Sequence, residues 1–91
     1  MLTFNLKKVW FEKIKCGEKT HEYRLQNKFW DVRMGNLKIG DIITFASGYP
    51  NAEEKDKFLQ AKVVKITKIS NGINTDLKVE APVYDLEFVL L

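Results

Sequence analysis

The hydrophobic period changes within the first residues of the chain, from a strand pattern to a helix pattern. Leu2, Phe4 and Leu6 alternate with polar residues, which is the period of two expected for a strand. Over residues 7–16 the apolar positions recur every three to four residues, with lysines between them, which predicts an amphipathic helix. Gly17 follows as the expected left-handed residue at the helix end. A short strand and a helix are therefore predicted before residue 17.

The rest of the chain is predicted to be mainly β. Alternating or β-rich patterns cover residues 20–25, 42–45, 58–69 and 83–90, which predicts four further strands. Residues 26–36 mix aromatic, aliphatic and charged side chains and are interpreted as a loop with one helical turn. Asn71-Gly72 is a strong signal for a two-residue hairpin turn. Residues 75–79 are interpreted as a weak strand or a loop.

This order of elements predicts the fold class. One early helix with five to six strands favours an α+β fold that is mainly β, namely a small, mainly antiparallel β-barrel with the helix packed at its opening. Helix–strand alternation is absent after residue 17, which argues against a doubly wound parallel sheet. With 91 residues, the chain has room for one domain spanning residues 1–91.

Charge adds a first functional hint. Fifteen Lys and Arg against twelve Asp and Glu give a formal net charge of +3. The basic excess lies in the first half of the chain, which is compatible with a nucleic-acid or nucleotide partner and equally with an ordinary solvated surface. No apolar run reaches the ~18 residues of a membrane span, and the start does not resemble a secretory leader. We expect a cytoplasmic protein without a membrane partner, monomeric by default.

Several chemistries are not supported by the residue inventory. One His and one Cys exclude an internal disulfide and a cysteine-based zinc cage. Cys16 and His21 are interpreted as ordinary structural residues rather than a nucleophile and its base. Phosphate-loop, HExxH and EF-hand patterns are absent. We expect neither a metal nor a cofactor.

The strongest candidate site lies directly after the helix, over residues 17–24. Strand alternation places Thr20, Glu22 and Arg24 on one face, and Lys19 stands where the helix meets the strand. If that face looks into the barrel mouth, the ammonium and the guanidinium can hold a phosphate or a base edge, and Glu22 can accept from an amine or orient Arg24. The alternative is a surface salt bridge on a solvated sheet face. Periodicity alone leaves both interpretations open.

These residues resemble a known family. The run 10–24 ends in G-x-K-x-x-E-x-R, and Gly40-Asp41 then precedes a hydrophobic strand; both features resemble the ASCH domain family, in a small branch that also occurs in phage-related proteins. The resemblance implies a PUA-like barrel with a cleft lined by Lys19, Glu22 and Arg24. It also implies RNA binding, with which family members are associated, and some members are enzymes.

Two enzymatic branches of the family give the alternatives. One looks like acetylcytidine amidohydrolases, which use a Lys, a Thr nucleophile and a distant Glu. This sequence has Lys19 but carries Glu22 at the position of that nucleophile, and only Asp76 or Glu80 stands near the place of the distant Glu. The other branch looks like metal-independent ribonucleases that use a cleft Lys. In an enzyme, Lys19 and Glu22 would be the catalytic residues.

The leading hypothesis is a module that binds RNA or a modified nucleotide. Lys19, Thr20, Glu22 and Arg24 are expected to contact the ligand. The rings that could stack on a base, if they are exposed, are Tyr23, Trp30 and Tyr49. A third possibility is an interaction protein that contacts a partner through the turn around residues 48–50.

Overall fold

The sheet and its helices follow the predicted order, with one additional helix. The computed structural model describes residues 2–91. Its elements are, in chain order, β1 (Thr3–Leu6), α1 (Lys8–Lys15), β2 (His21–Leu25), α2 (Lys28–Gly35), β3 (Ile42–Ser47), a short 3-10 helix (Lys55–Lys57), β4 (Phe58–Ile69) and β5 (Val83–Leu90). The five strands form one sheet in the order β1-β3-β4-β5-β2.

The sheet curls into a half-barrel, which confirms the predicted small, mainly antiparallel β-barrel. Three of the four strand pairings are antiparallel, and β1 pairs with β3 in parallel. β1 and β2 stand at opposite ends of the strand order and leave a seam between them. Across this seam Arg24 Nη2 on β2 donates to the carbonyl oxygen of Asn5 on β1 at 3.4 Å. A side chain therefore connects the two walls where strand pairing does not.

The first helix agrees with the prediction. Phe11 and Ile14 are buried against the sheet, whereas the lysines of α1 face outwards. Gly17 has a φ of +83°, and its N–H donates to the carbonyl of Ile14 at 3.0 Å. A residue with a side chain would be strained in this left-handed conformation, which glycine adopts freely. The chain therefore turns sharply at Gly17 and continues into β2.

The prediction for residues 26–36 was wrong, because this segment is not a loop with one helical turn. It contains the eight-residue helix α2, which begins after Asn27. The Asn27 side chain caps the helix by accepting from the N–H of Trp30 at 2.9 Å. Trp30 and Met34, one turn apart, pack towards the core, whereas Phe29 and Val32 remain exposed.

The predicted hairpin at Asn71-Gly72 was also wrong. β4 ends at Ile69 and β5 begins at Val83, so residues 70–82 form a long connection rather than a two-residue turn. Gly72 forms an isolated antiparallel bridge with Val79. A Cβ atom at Gly72 would lie only 2.6 Å from Cγ1 of Val83, so this glycine permits a close approach of the connection to β5. Residues 75–79 belong to this connection, in agreement with the loop interpretation.

The core lies on the concave side of the sheet and is rich in aromatic rings. The ring centroids of Phe45 and Phe88 are 4.6 Å apart, and those of Phe4 and Phe45 are 5.7 Å apart. All three rings are almost fully buried. No helix within residues 2–91 is long and apolar enough to cross a membrane.

Candidate functional site

Two of the predicted site residues are buried although they carry charge. Lys19 is 9% exposed and Glu22 is 6% exposed. Glu22 faces inwards from β2, and the backbone N–H of Lys19 donates to the carbonyl of Lys13, which holds Lys19 beside the end of α1. Burying a charge is costly unless it is paired. The surroundings of both residues must therefore supply opposite charges.

A chain of ion pairs supplies them. Lys19 Nζ lies 3.3 Å from Glu22 Oε1, and it also contacts Oδ2 of Asp76. Glu22 Oε2 accepts from Arg24 Nε at 3.0 Å and from Arg24 Nη2 at 2.5 Å. The four groups thus alternate in sign in the order Asp76, Lys19, Glu22, Arg24. We call these four residues the ionic network.

Asp76 is the member of the network that the sequence analysis did not assign to the binding site. It belongs to the connection between β4 and β5, 57 positions from Lys19. The connection is held in shape by Thr75, a buried residue whose hydroxyl donates to the carbonyl of Gly72 at 2.7 Å. The sequence offered Asp76 only as a candidate for a distant acid.

Aromatic rings flank the Lys19 end of the network. Lys19 Nζ is 5.4 Å from the ring centroid of Trp10 and 5.2 Å from that of Tyr23. At such distances a ring face attracts a cation through its quadrupole. Trp10 was predicted only as one of the apolar residues of the helix over residues 7–16. Its contact with Lys19 was not predicted. The lysine three residues later on the same helix face, Lys13, also lies over this ring at 5.3 Å.

The phenol of Tyr23 remains protonated at neutral pH. Burial raises the pKa of Tyr23 above its ordinary value, and the negative charges of Asp85, Asp76 and Glu22 raise the pKa further. A protonated phenol can donate a hydrogen bond as well as accept one. Tyr23 therefore offers both a ring face and a donor at the site.

Arg24 has rings of its own at the other end of the network. Its Cζ atom is 4.9 Å from the ring centroid of Trp30 and 5.2 Å from that of Phe4. These two rings are stacked on each other, with centroids 5.3 Å apart and planes 2° apart. Trp30 is thus engaged within the protein, between Arg24 and the core.

Two surface depressions open onto the network. Their volumes are about 270 Å³ and 290 Å³, and they share Trp10, Lys19, Tyr23 and Asp76 as lining residues. Lys13 also lines the first depression, and Lys7 lines the second. We call the two depressions together the cleft.

The sequence that forms this cleft matches a known protein family. Residues 4–88 match the ASCH domain. The chain belongs to the ASCH domain family. The resemblance carried by G-x-K-x-x-E-x-R is therefore confirmed over almost the whole chain.

The fold of this ASCH domain is shared by a protein of known structure. The crystal structure of the hypothetical protein PH0355 matches it with a TM-score of 0.66 at 22% identity, covering 99% of this chain and 98% of that chain. At this identity the similarity supports the fold alone. A search of curated protein sequences gives no match.

The ASCH domain brings four of the predicted site residues together, namely Lys19, Glu22, Tyr23 and Arg24. Thr20 lines the first depression with an exposed side chain. Trp30 and Tyr49 line neither depression of the cleft. Tyr49 lies on the turn after β3 and is 91% exposed.

His21 lies beside the cleft and pairs across the sheet. Its Nδ1 atom is 2.7 Å from Oδ1 of Asp85 on the neighbouring strand β5, and His21 also lines the first depression. Within residues 2–91, no group of three or more His, Cys, Asp or Glu side chains has a geometry that could hold a metal ion.

Proposed function

We propose that this ASCH domain binds single-stranded RNA or a modified nucleotide in the cleft. The observation that carries the proposal is the position of Trp10, Lys19, Tyr23 and Asp76 around one opening, with two rings beside hydrogen-bonding charged groups. Proteins that bind single-stranded RNA stack its bases on aromatic rings and hydrogen-bond their edges. ASCH domains are generally PUA-like and associated with RNA binding, which supports the same conclusion.

The mouth of the cleft favours a negatively charged backbone. Lys7, which directly precedes α1, lines one of its two depressions, and Lys13 on α1 lines the other. Lysines close to a phosphate chain release counterions when they bind it, and the binding then weakens as salt is added. The helix α1 can therefore guide the backbone while the cleft receives a base.

Salt-dependent binding of fluorescently labelled single-stranded RNA tests this proposal. Trp10→Leu should weaken binding by about 1–3 kcal/mol, because a stacking ring is lost. Lys13→Gln should reduce the slope of log affinity against log salt by about 0.7 for each phosphate contact that it removes. Lys62→Gln, an exposed lysine on β4 outside the cleft, is the matched control and should leave the affinity almost unchanged.

Two results would contradict RNA binding in the cleft. One is the absence of binding at low salt by the folded wild-type protein. The other is an affinity of Trp10→Leu equal to that of the wild type, which would place the RNA elsewhere on the surface. Circular dichroism of each variant confirms that the fold is retained.

A second candidate function is hydrolysis of an acylated nucleoside such as acetylcytidine. The contact between Lys19 and Asp76 favours it, because it joins the cleft lysine to an acid from the segment before the last strand. Glu22 is held by both Lys19 and Arg24, so the more exposed carboxylate of Asp76 is better placed to activate water. Lys19 would then stabilise the developing negative charge.

Release of acetate from acetylcytidine separates this candidate from binding alone. Turnover by the wild type that is lost in Lys19→Ala and in Asp76→Asn would support the hydrolase, with cleavage of single-stranded RNA measured on the same samples for the ribonuclease alternative. Turnover that survives Lys19→Ala would belong to another site or to a contaminant.

A further inference from the structure

We infer that the cleft selects a nucleobase that carries an exocyclic amine, with Asp76 as the acceptor for that amine, and that the phosphates stay outside the ionic network, on Lys7 and Lys13. This inference rests on the proposed function, which it makes specific: the ligand is RNA that contains cytosine, adenine or guanine rather than uracil alone. It also gives Asp76 the role of a specificity-determining residue.

The first argument is the charge balance of the ionic network. Two cations, Lys19 and Arg24, face two carboxylates, Glu22 and Asp76, so the four charges sum to zero. The donors are also engaged: Lys19 contacts both carboxylates, and Arg24 directs Nε and Nη2 to Glu22. A phosphate entering here would have to displace a carboxylate and would meet the repulsion of the other one. A neutral base meets no such penalty.

The second argument is the gradient of exposure along the network. The side chains of Lys19, Glu22 and Arg24 are 7%, 8% and 20% exposed, whereas the side chain of Asp76 is 40% exposed. Within the ionic network, the charged group that a ligand meets most readily is therefore an acceptor. A carboxylate accepts hydrogen bonds from amines and repels carbonyl oxygens.

This chemistry distinguishes the bases. Cytosine carries an amine at N4, adenine at N6 and guanine at N2, and each of these amines can donate to a carboxylate. Uracil has a carbonyl oxygen at the position that corresponds to the cytosine amine, and it would face Asp76 oxygen to oxygen. The rings of Trp10 and Tyr23 can stack on any base, so the selection comes from the carboxylate.

Cations that can bind phosphate line the cleft outside the ionic network. Lys7 and Lys13 line the two depressions and belong to the start and the middle of the helix segment, outside the ionic network. Among residues 2–91, no carboxylate lies within 4.0 Å of either ammonium group. The base of the RNA would thus contact Asp76, and its phosphate backbone would contact Lys7 and Lys13.

The test measures the affinities of short labelled oligocytidine, oligoadenosine and oligouridine for four proteins at one salt concentration. These are the wild type, Asp76→Asn, Asp76→Glu and the control Asp56→Asn, which changes an exposed aspartate of the 3-10 helix. We expect the wild type to bind oligocytidine at least about fivefold more tightly than oligouridine. Asp76→Asn should bring this ratio close to one, since its amide can also donate to uracil, whereas Asp76→Glu and Asp56→Asn should preserve it.

A fifth protein separates base from backbone. Lys13→Gln should weaken all three oligonucleotides by the same factor and leave the ratio of cytidine to uridine affinity unchanged. If it changes this ratio as much as Asp76→Asn does, the division between base and backbone sites is overturned.

The remaining outcomes are equally decisive. Equal binding of the three oligonucleotides by the wild type, or a preference for uridine, overturns the selection of an amine while leaving RNA binding in place. A preference that Asp76→Asn does not alter overturns the role of Asp76. Absence of binding to all three oligonucleotides removes the proposed function itself. If Asp76→Asn does not fold, Asp76→Ala takes its place and should likewise bring the ratio close to one, since it also removes the carboxylate; an unchanged ratio overturns the role of Asp76.

Discussion

The two ends of the ionic network use the same arrangement for different purposes. At one end Arg24 pairs with Glu22 and lies against the rings of Phe4 and Trp30. At the other end Lys19 pairs with Glu22 and lies against the rings of Trp10 and Tyr23. In each case one oxygen of Glu22 and two aromatic rings hold the cation, and Lys19 is paired with Asp76 as well.

The two ends differ in what lies behind the rings. Phe4 is fully buried and belongs to the core, and its stack with Trp30 attaches α2 to the sheet. Trp10 and Tyr23 instead line the cleft. We therefore expect the Arg24 end to stabilise the fold and the rings at the Lys19 end to be available to a ligand. Substitutions at both ends test this division.

Arg24→Ala should have the largest effect on stability. It leaves Glu22 with one charged partner and removes the hydrogen bond from Arg24 to the carbonyl of Asn5 across the seam. Breaking one side of a buried ion pair costs about 3–5 kcal/mol. Urea denaturation measures this loss. Arg33→Ala, which removes an arginine that covers the exposed ring of Phe29, is the control and should cost less than about 1 kcal/mol. Equal losses in both variants would refute the structural role of Arg24.

Trp30→Ala and Trp10→Ala test the Arg24 end and the Lys19 end of the ionic network separately. Trp30 stacks on Phe4, meets Phe29 edge-on at 5.1 Å and covers Arg24, so its removal should lower the free energy of unfolding by about 2–3 kcal/mol. Trp10→Ala should cost less stability and more RNA affinity. The prediction fails if the two tryptophans exchange these effects in denaturation and RNA-binding measurements.

Tyr84→Phe tests the attachment of α2 to β5. The hydroxyl of Tyr84 donates to Asp31 Oδ1 at 2.6 Å, and its loss should cost about 1 kcal/mol at neutral pH. This hydrogen bond, together with burial and the charge of Asp31, raises the pKa of Tyr84 above its ordinary value of about 10.

The pH dependence of this contribution follows from the direction of the shift. A raised pKa means that the folded protein retains the phenolic proton more strongly than the unfolded chain. The contribution is therefore complete below about pH 10 and is lost as the pH rises through the raised value. Urea denaturation at pH 8 and at higher alkaline pH should show a smaller alkaline loss for Tyr84→Phe than for the wild type. An identical loss would contradict the assignment.

Asp76→Asn should have the smallest effect on stability. Its side chain is 40% exposed, and ion pairs that reach solvent contribute little, so we expect a loss below about 1 kcal/mol. The same variant is expected to change base selection, which separates the role of Asp76 from that of Arg24. A loss comparable to that of Arg24→Ala would place Asp76 among the residues that hold the fold.

Local patterns in the sequence were sufficient to predict most elements of the fold. The stripe containing Phe11 and Ile14 indicated α1, and the alternation over residues 58–69 and 83–90 indicated the two long strands at their observed positions. The second helix was missed because its apolar residues are distributed around the helix rather than on one face. The signals that could have identified it are the Asn27 cap and the acidic Asp31 in its first turn.

Only those residues of the candidate site that are close together in the sequence could be predicted as a group. Lys19, Glu22 and Arg24 could be grouped because they belong to one motif and one strand. Asp76 and Trp10 could not be assigned in this way, since their approach to Lys19 depends on the path of residues 70–82 and on the angle at which α1 packs. Such long-range contacts are set by tertiary packing, which periodicity does not report.

The parallel pairing of β1 with β3 has a consequence for the order in which the domain is assembled during synthesis. β1 and β2 are synthesised before their partner strands, because β1 pairs with β3 and β2 pairs with β5. Contacts between distant parts of a chain form slowly because the intervening segment must first be ordered. A nascent chain that stops before β5 therefore leaves β2 without its neighbouring strand, and the cleft is complete only when β5 has been added.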